Sequence, residues 1–165
     1  MRRFLVLMVT MAVMMALAVP AIAAGNGATQ VAGHTDTVVC ADGPGDWSEA
    51  DYSFHITGDL EGCVYGLITY DHCTPSGMYQ ERADEIFVSD ADPDDTFQMT
   101  EFFWAKYVFG APCDFETVEA QVFGGCKHPI KAGKGTGAYE GVTGRLDFKD
   151  DVDTGIAHYK GHLRG

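Results

Sequence analysis

The sequence predicts an all-β fold, a sandwich or a barrel, on three observations. Apolar and polar residues alternate with period two in one segment after another. Turn signals recur roughly every ten to fifteen residues. No stretch combines a sustained helical period with helix caps.

The chain has 165 residues. It opens on Arg2 and Arg3, an apolar run from Phe4 to Val19, then Pro20 and the small residues Ala21-Ile22-Ala23-Ala24. A basic start, a short apolar run and a small-residue end predict a signal peptide over residues 1–24. The run is short for a membrane span, which needs about 20 residues. The mature chain is therefore expected to be secreted or extracytoplasmic, with no membrane segment after cleavage. Its net charge of −13 becomes about −15 once the two arginines are removed. Such a surface repels nucleic acid and anionic lipid.

Residues 25–36 are small and polar and read as a loose N-terminal arm, and residues 41–50 as a turn-rich segment. The barrel domain is expected over 51–165. Tyr52, Phe54, Ile56 and Leu60 alternate with Ser53, His55, Thr57 and Asp59, which predicts a half-buried strand. Cys63 to Tyr70 is apolar on both faces and predicts a buried one. Thr74 to Gly77 turns the chain, Tyr79 to Val88 forms a strand, and Asp90 to Asp95 is an acidic loop. Phe97 to Phe109 is a long aromatic strand. Ala111 to Asp114 turns again, and Val118, Ala120 and Val122 share one face of the next strand. The glycines Gly135, Gly137, Gly141 and Gly144 then lead into a strand with Leu146 and Phe148 on one face. No helix follows these glycines, so they read as backbone devices rather than a phosphate cradle.

The segment Gly-Thr-Gly-Ala-Tyr-Glu-Gly-Val-Thr-Gly-Arg-Leu-Asp-Phe, residues 135–148, resembles the allene oxide cyclase barrel-like and dirigent-like superfamily. The likeness is greatest to its exported bacterial members, which also tend to share the upstream His-Pro-Ile of His128 to Ile130. The resemblance implies a single eight-stranded antiparallel β-barrel, wide enough to be packed solid or to hold one small ligand. Members of that group cyclise an unsaturated fatty-acid epoxide or steer phenolic radical coupling. Fold alone assigns neither activity.

Glu101 is the candidate catalytic residue. It shares strand parity with Phe97, Met99, Phe103, Tyr107 and Phe109, so it would be a desolvated carboxyl in an aromatic interior, usable as acid or base. Tyr107 is the candidate assistant through a hydrogen bond. Phe97, Met99, Phe103, Tyr107 and Phe109 are the candidate ligand contacts. If the opposite face is inside, or a bulge reverses the parity, Glu101 is solvated.

Asp90 to Glu101 imitates a calcium loop, but Asp95 stands where glycine is required and the flanks are strands. It reads as a hairpin turn, as does the Asp150 to Asp153 segment. The histidines at 34, 55, 72, 128, 158 and 162 read as scattered surface groups. No metal-ligand spacing occurs, and no cofactor is expected. Among the cysteines, strand order places Cys73 and Cys113 at one barrel end and Cys63 and Cys126 at the other. Bridging Cys63 to Cys73 would have to span about 33 Å. The expected bridges are Cys73–Cys113 and Cys63–Cys126, with Cys40 left over.

Three functions remain open: an exported, disulfide-stabilised barrel that binds a small apolar, aromatic or phenolic ligand; a cyclase or isomerase built on Glu101; and a structural or interaction module with a filled core.

Overall fold

Alternation along each strand sends every second side chain to one side of a sheet, and here that side is the inside of a ring. The computed structural model describes residues 27–165, so the expected signal peptide lies outside the described residues. Eight strands follow one another: β1 (Thr29–Thr35), β2 (Tyr52–Gly58), β3 (Gly62–Cys73), β4 (Met78–Ser89), β5 (Thr96–Phe109), β6 (Val118–Gly135), β7 (Thr143–Asp151) and β8 (Ile156–Arg164). Each pairs antiparallel with the next, and β8 pairs with β1, so a single sheet closes on itself. No α-helix occurs among the described residues; the connections carry only short 3₁₀ turns.

The N-terminal arm is a correction. Thr29–Thr35 is not loose: it pairs with β2 through Gly33–Thr35 and with β8 through Thr29–His34. Its small polar residues hid a strand whose single large apolar side chain, Val31, is buried. The ring therefore starts before residue 51, and this strand is the one that closes it.

Two rungs of the interior differ. Toward the end where β6 meets β7, the ring is filled. Phe87 and Phe97 stack with centroids 4.9 Å apart, and Tyr139 meets Phe97 edge-on at 5.0 Å. Leu60, Met99, Val142 and Leu163 complete this packing. Burying one such phenylalanine contributes about 1.5–3 kcal/mol. Tyr139 and Val142 come from the glycine-rich connection, residues 136–142, which folds inward as a plug. Gly137 has φ +57° there, a conformation that glycine adopts without strain. Tyr159 ties the far side. Its hydroxyl accepts the Leu60 N–H at 2.9 Å and donates to the Leu60 carbonyl at 3.1 Å.

The β1–β2 connection lies on the outer face of β3. Cys40 is bonded to Cys63 there, and Tyr65 lies beneath Gly43. This covering explains why β3 is apolar on both faces at its start. His55 holds the same region to the acidic turn. Its Nδ1 is 2.9 Å from Asp36 and its Nε2 is 3.0 Å from Asp90. Burial disfavours the imidazolium, but the hydrogen bonds to Asp90 and Asp36 outweigh it and raise the pKa.

The second bridge is Cys73–Cys113. The expected Cys63–Cys126 bridge is corrected. Cys126 shares a face with the inward-pointing Phe103 and Phe148 across its ladders, whereas Cys63 points outward beneath the β1–β2 connection. Proximity along the strand order does not help two sulfurs on opposite faces of a sheet. Cys126 is the free, buried cysteine.

Candidate functional site

The inward parity of β5 places Glu101 inside the ring, 6 % exposed. One rung away on β4, Glu85 is fully buried, because it shares parity with Ala83 and Phe87. On β6, Cys126 and His128 share that inward face, and His128 is fully buried. Tyr52 enters from the start of β2. Four strands, β2, β4, β5 and β6, thus supply polar groups to one region inside the ring.

The hydrogen bonds form a chain. Tyr52 Oη lies 2.9 Å from Glu85 Oε1 and 2.9 Å from Glu101 Oε2. Glu85 Oε2 lies 2.5 Å from His128 Nδ1. A phenol has one proton and cannot donate to two carboxylates at once. One carboxyl must itself donate, and Glu101 is the one. Burial, reinforced by the charge of Glu85, pushes its pKa up from 4.5 to about 8, against smaller opposing effects of His128 and the Tyr52 hydrogen bond. With the proton on Glu101, Glu101 donates to Tyr52, Tyr52 donates to Glu85, and Glu85 also accepts the Nδ1–H of His128. Burial works against a charged His128, but the Glu85 charge and hydrogen bond prevail and raise its pKa. The Tyr52 hydroxyl, desolvated between carboxylates, is held far above its ordinary range. Burial also raises the Cys126 thiol, helped by Glu101 and Glu85.

Above this network the ring is hollow. A cavity of about 290 Å³ is lined by Thr35, Tyr52, Phe54, Glu81, Glu101, Phe103, Cys126, Phe148, Asp150 and Ala157. Its walls are aromatic, its floor holds Glu101 and Cys126, and its mouth carries Glu81 and Asp150. All of these residues lie toward the end of the ring opposite the Tyr139 plug.

The residues expected from the sequence separate into three groups. Glu101 and Phe103 line the cavity. Phe97 and Met99 are fully buried in the packed end below it. Tyr107 and Phe109 form an aromatic cluster with Phe115, with Tyr107–Phe115 centroids at 5.6 Å and Phe109–Phe115 at 5.1 Å. Tyr107 is six residues from Glu101 on β5, roughly 20 Å at about 3.3 Å per residue. The tyrosine that reaches Glu101 is Tyr52. Register shifts at Lys106/Tyr107 and Val108/Phe109 take that end of β5 out of the regular ladder.

Sequence reasoning missed Tyr52, Glu85, Cys126 and His128. The surface reading of the histidines is corrected for His55 and His128, both buried. A signal for Glu85 was available: it sits at the inward parity of Phe87 on a strand with an apolar end. The calcium-like segment is a turn between β4 and β5, whose Asp95 accepts the Ala138 N–H at 2.7 Å. Glu101, its would-be twelfth ligand, points inside the ring instead.

Fold and site together define a disulfide-bridged, eight-stranded antiparallel ring with one plugged end and one carboxyl-floored cavity. Compared with protein-family models, curated proteins and solved structures, the chain matches none.

Proposed function

We propose that this is an exported β-barrel whose open half binds a small apolar or aromatic ligand bearing one polar group. The carrying observation is the cavity of about 290 Å³ with aromatic walls over the Glu101 carboxyl. That volume is at the lower end of the range for small-molecule sites, about 300–1,000 Å³. It suits a single-ring compound such as a substituted phenol and is too small for a long acyl chain. A phenolic ring packs against Phe54, Phe103 and Phe148, and its hydroxyl meets Glu101. The two disulfides favour an oxidising compartment. The resemblance of residues 135–148 to the allene oxide cyclase and dirigent-like superfamily supports the same reading, since both groups work through a shaped interior.

The test is native mass spectrometry and calorimetry against a panel of substituted phenols and fatty acids. Binding of phenols at one site, weakened by Phe103→Ala, is expected. Equal binding by Phe103→Ala, or a preference for long-chain acids, overturns it.

A second reading, an isomerase or cyclase, is favoured by one observation: Glu101, Tyr52, Glu85 and His128 form a continuous path for a proton. A carboxyl with a pKa near 8 can give or take a proton at neutral pH. Under that reading Glu101→Gln abolishes turnover and leaves ligand binding in place.

A further inference from the structure

Beside the cavity floor lies a set of three side chains with metal-ligating atoms, one of which has no hydrogen-bond partner. A carboxylate oxygen of Glu101, the sulfur of Cys126 and an imidazole nitrogen of His128 all lie within 4.8 Å of one another. His128 is fully buried, and its Nε2 has no hydrogen-bond partner. A buried polar nitrogen without a partner is costly and calls for an explanation. We propose that Glu101, Cys126 and His128 bind a divalent transition-metal ion of the zinc class, with one coordination position left toward the cavity.

Four features support this. The donor set is chemically coherent: a thiolate and an imidazole with one carboxylate suit zinc or cobalt and not calcium or magnesium, which prefer oxygen alone. Three protein donors with an open fourth position is the arrangement of zinc sites that meet an exogenous ligand. The backbone already brings the donors together. Cys126 and His128 are two residues apart on the inward face of β6, and Glu101 is on the strand paired with it, where Phe103 opposes Cys126. Tetrahedral zinc separates its ligand atoms by roughly 3.5 Å, and here one atom from each of the three side chains already lies within 4.8 Å of the others.

The third feature is the contact behind the imidazole. Histidines that ligate metals usually give their other ring N–H to a carboxylate, which fixes the ring and its tautomer. Glu85 receives Nδ1 of His128 in that manner, which leaves Nε2 as the nitrogen for the metal. The fourth is charge and access. Glu101 and Cys126 as anions balance a dication, and both line the cavity, which gives the ion a path from solvent. The other four cysteines are in bridges, so Cys126 alone among the cysteines can serve. Sequence spacing concealed the site because its members come from two strands rather than one local motif.

The experiment titrates cobalt(II), then zinc(II), into the full mature chain after chelation, with both disulfides intact and no affinity tag. One equivalent of cobalt(II) is expected to give a thiolate-to-cobalt charge-transfer band and the intense visible bands of tetrahedral cobalt. Cys126→Ala is expected to lose the charge-transfer band. Glu85→Gln should keep the band but bind zinc(II) about 10–100-fold more weakly, the usual effect of losing the carboxylate behind a ligating histidine. A folded wild-type protein without the band overturns the proposal, and it needs no variant to do so. So does a band that survives Cys126→Ala, or weak binding equally displaced by calcium, which is a surface acidic site only. Phenol binding by the chelated protein is read separately, so failure here leaves the cavity reading standing.

Discussion

The ring of Tyr52 lies against the bare Cα of Gly66, its partner across the β2–β3 ladder. A Cβ at residue 66 would fall 2.1 Å from Cζ of that ring. The missing side chain lets the phenol lie flat along the inner wall, and its hydroxyl then falls between Glu85 and Glu101.

Gly66→Ala therefore displaces Tyr52 and opens the hydrogen-bond chain at its middle. The expected cost is about 1–3 kcal/mol, as for overpacking of a tight interior. Urea denaturation measures it. Tyr52→Phe in the Gly66→Ala background discriminates the cause: if lost hydrogen bonds dominate, the second change adds little. A fully additive loss counts against this coupling.

Stability should fall as pH rises through neutrality. The Glu101 pKa is raised from 4.5 to about 8, so in that window the folded chain keeps a proton that the unfolded chain has released. Its contribution is fully present below about pH 4.5 and is lost as pH rises through about 8. The slope reaches at most about 1.4 kcal/mol per pH unit. His128, raised above 6.5, acts with the same sign: its contribution is present below 6.5 and lost as pH passes its folded value. Denaturant melts across this range in a chelating buffer should show the decline, and Glu101→Gln should flatten it. Equal slopes for the two proteins would mean that Glu101 is ionised throughout.

Tyr159→Phe should be costly for so small a change. It leaves both the N–H and the carbonyl of Leu60 without partners in a buried place. About 1–3 kcal/mol is expected for such unpaired groups. An unchanged denaturation midpoint would show that water replaces the hydroxyl.

Digestion of the unreduced protein should yield peptides joined through Cys40–Cys63 and Cys73–Cys113, with a single thiol at Cys126. That thiol should react slowly in the folded state, where burial raises its pKa, and fast in denaturant. Replacing Cys73 and Cys113 by serine should cost about 2–4 kcal/mol. A peptide joining Cys63 to Cys126 would overturn this arrangement.

β4 was legible from its apolar end, and alternation made β2, β5 and β7 legible, because a half-buried strand writes its burial into every second residue. The same rule placed Glu101 on the face of Phe97 and Met99. It failed at β1, where glycine, alanine and threonine carry too little hydrophobicity to register. It failed at Cys126, because strand order locates a residue along the ring axis but does not say which face its sulfur takes.

The sequence by itself determined the strand class, which residues of the aromatic strand share a face with Glu101, and the glycine-rich corner ahead of β7; that this face is the inward one came from the ring. The first three are local properties, readable from neighbours within a few positions. Only the tertiary structure decided that Tyr52, Glu85, Glu101, Cys126 and His128 meet. They lie on four separate strands, and their distances are set by ladder register and ring closure. The same closure turned the glycine-rich corner into a plug through Tyr139 and left the opposite half hollow. Desolvation in that half, with the charge of Glu85 brought beside it by the β4–β5 ladder, raises the Glu101 pKa.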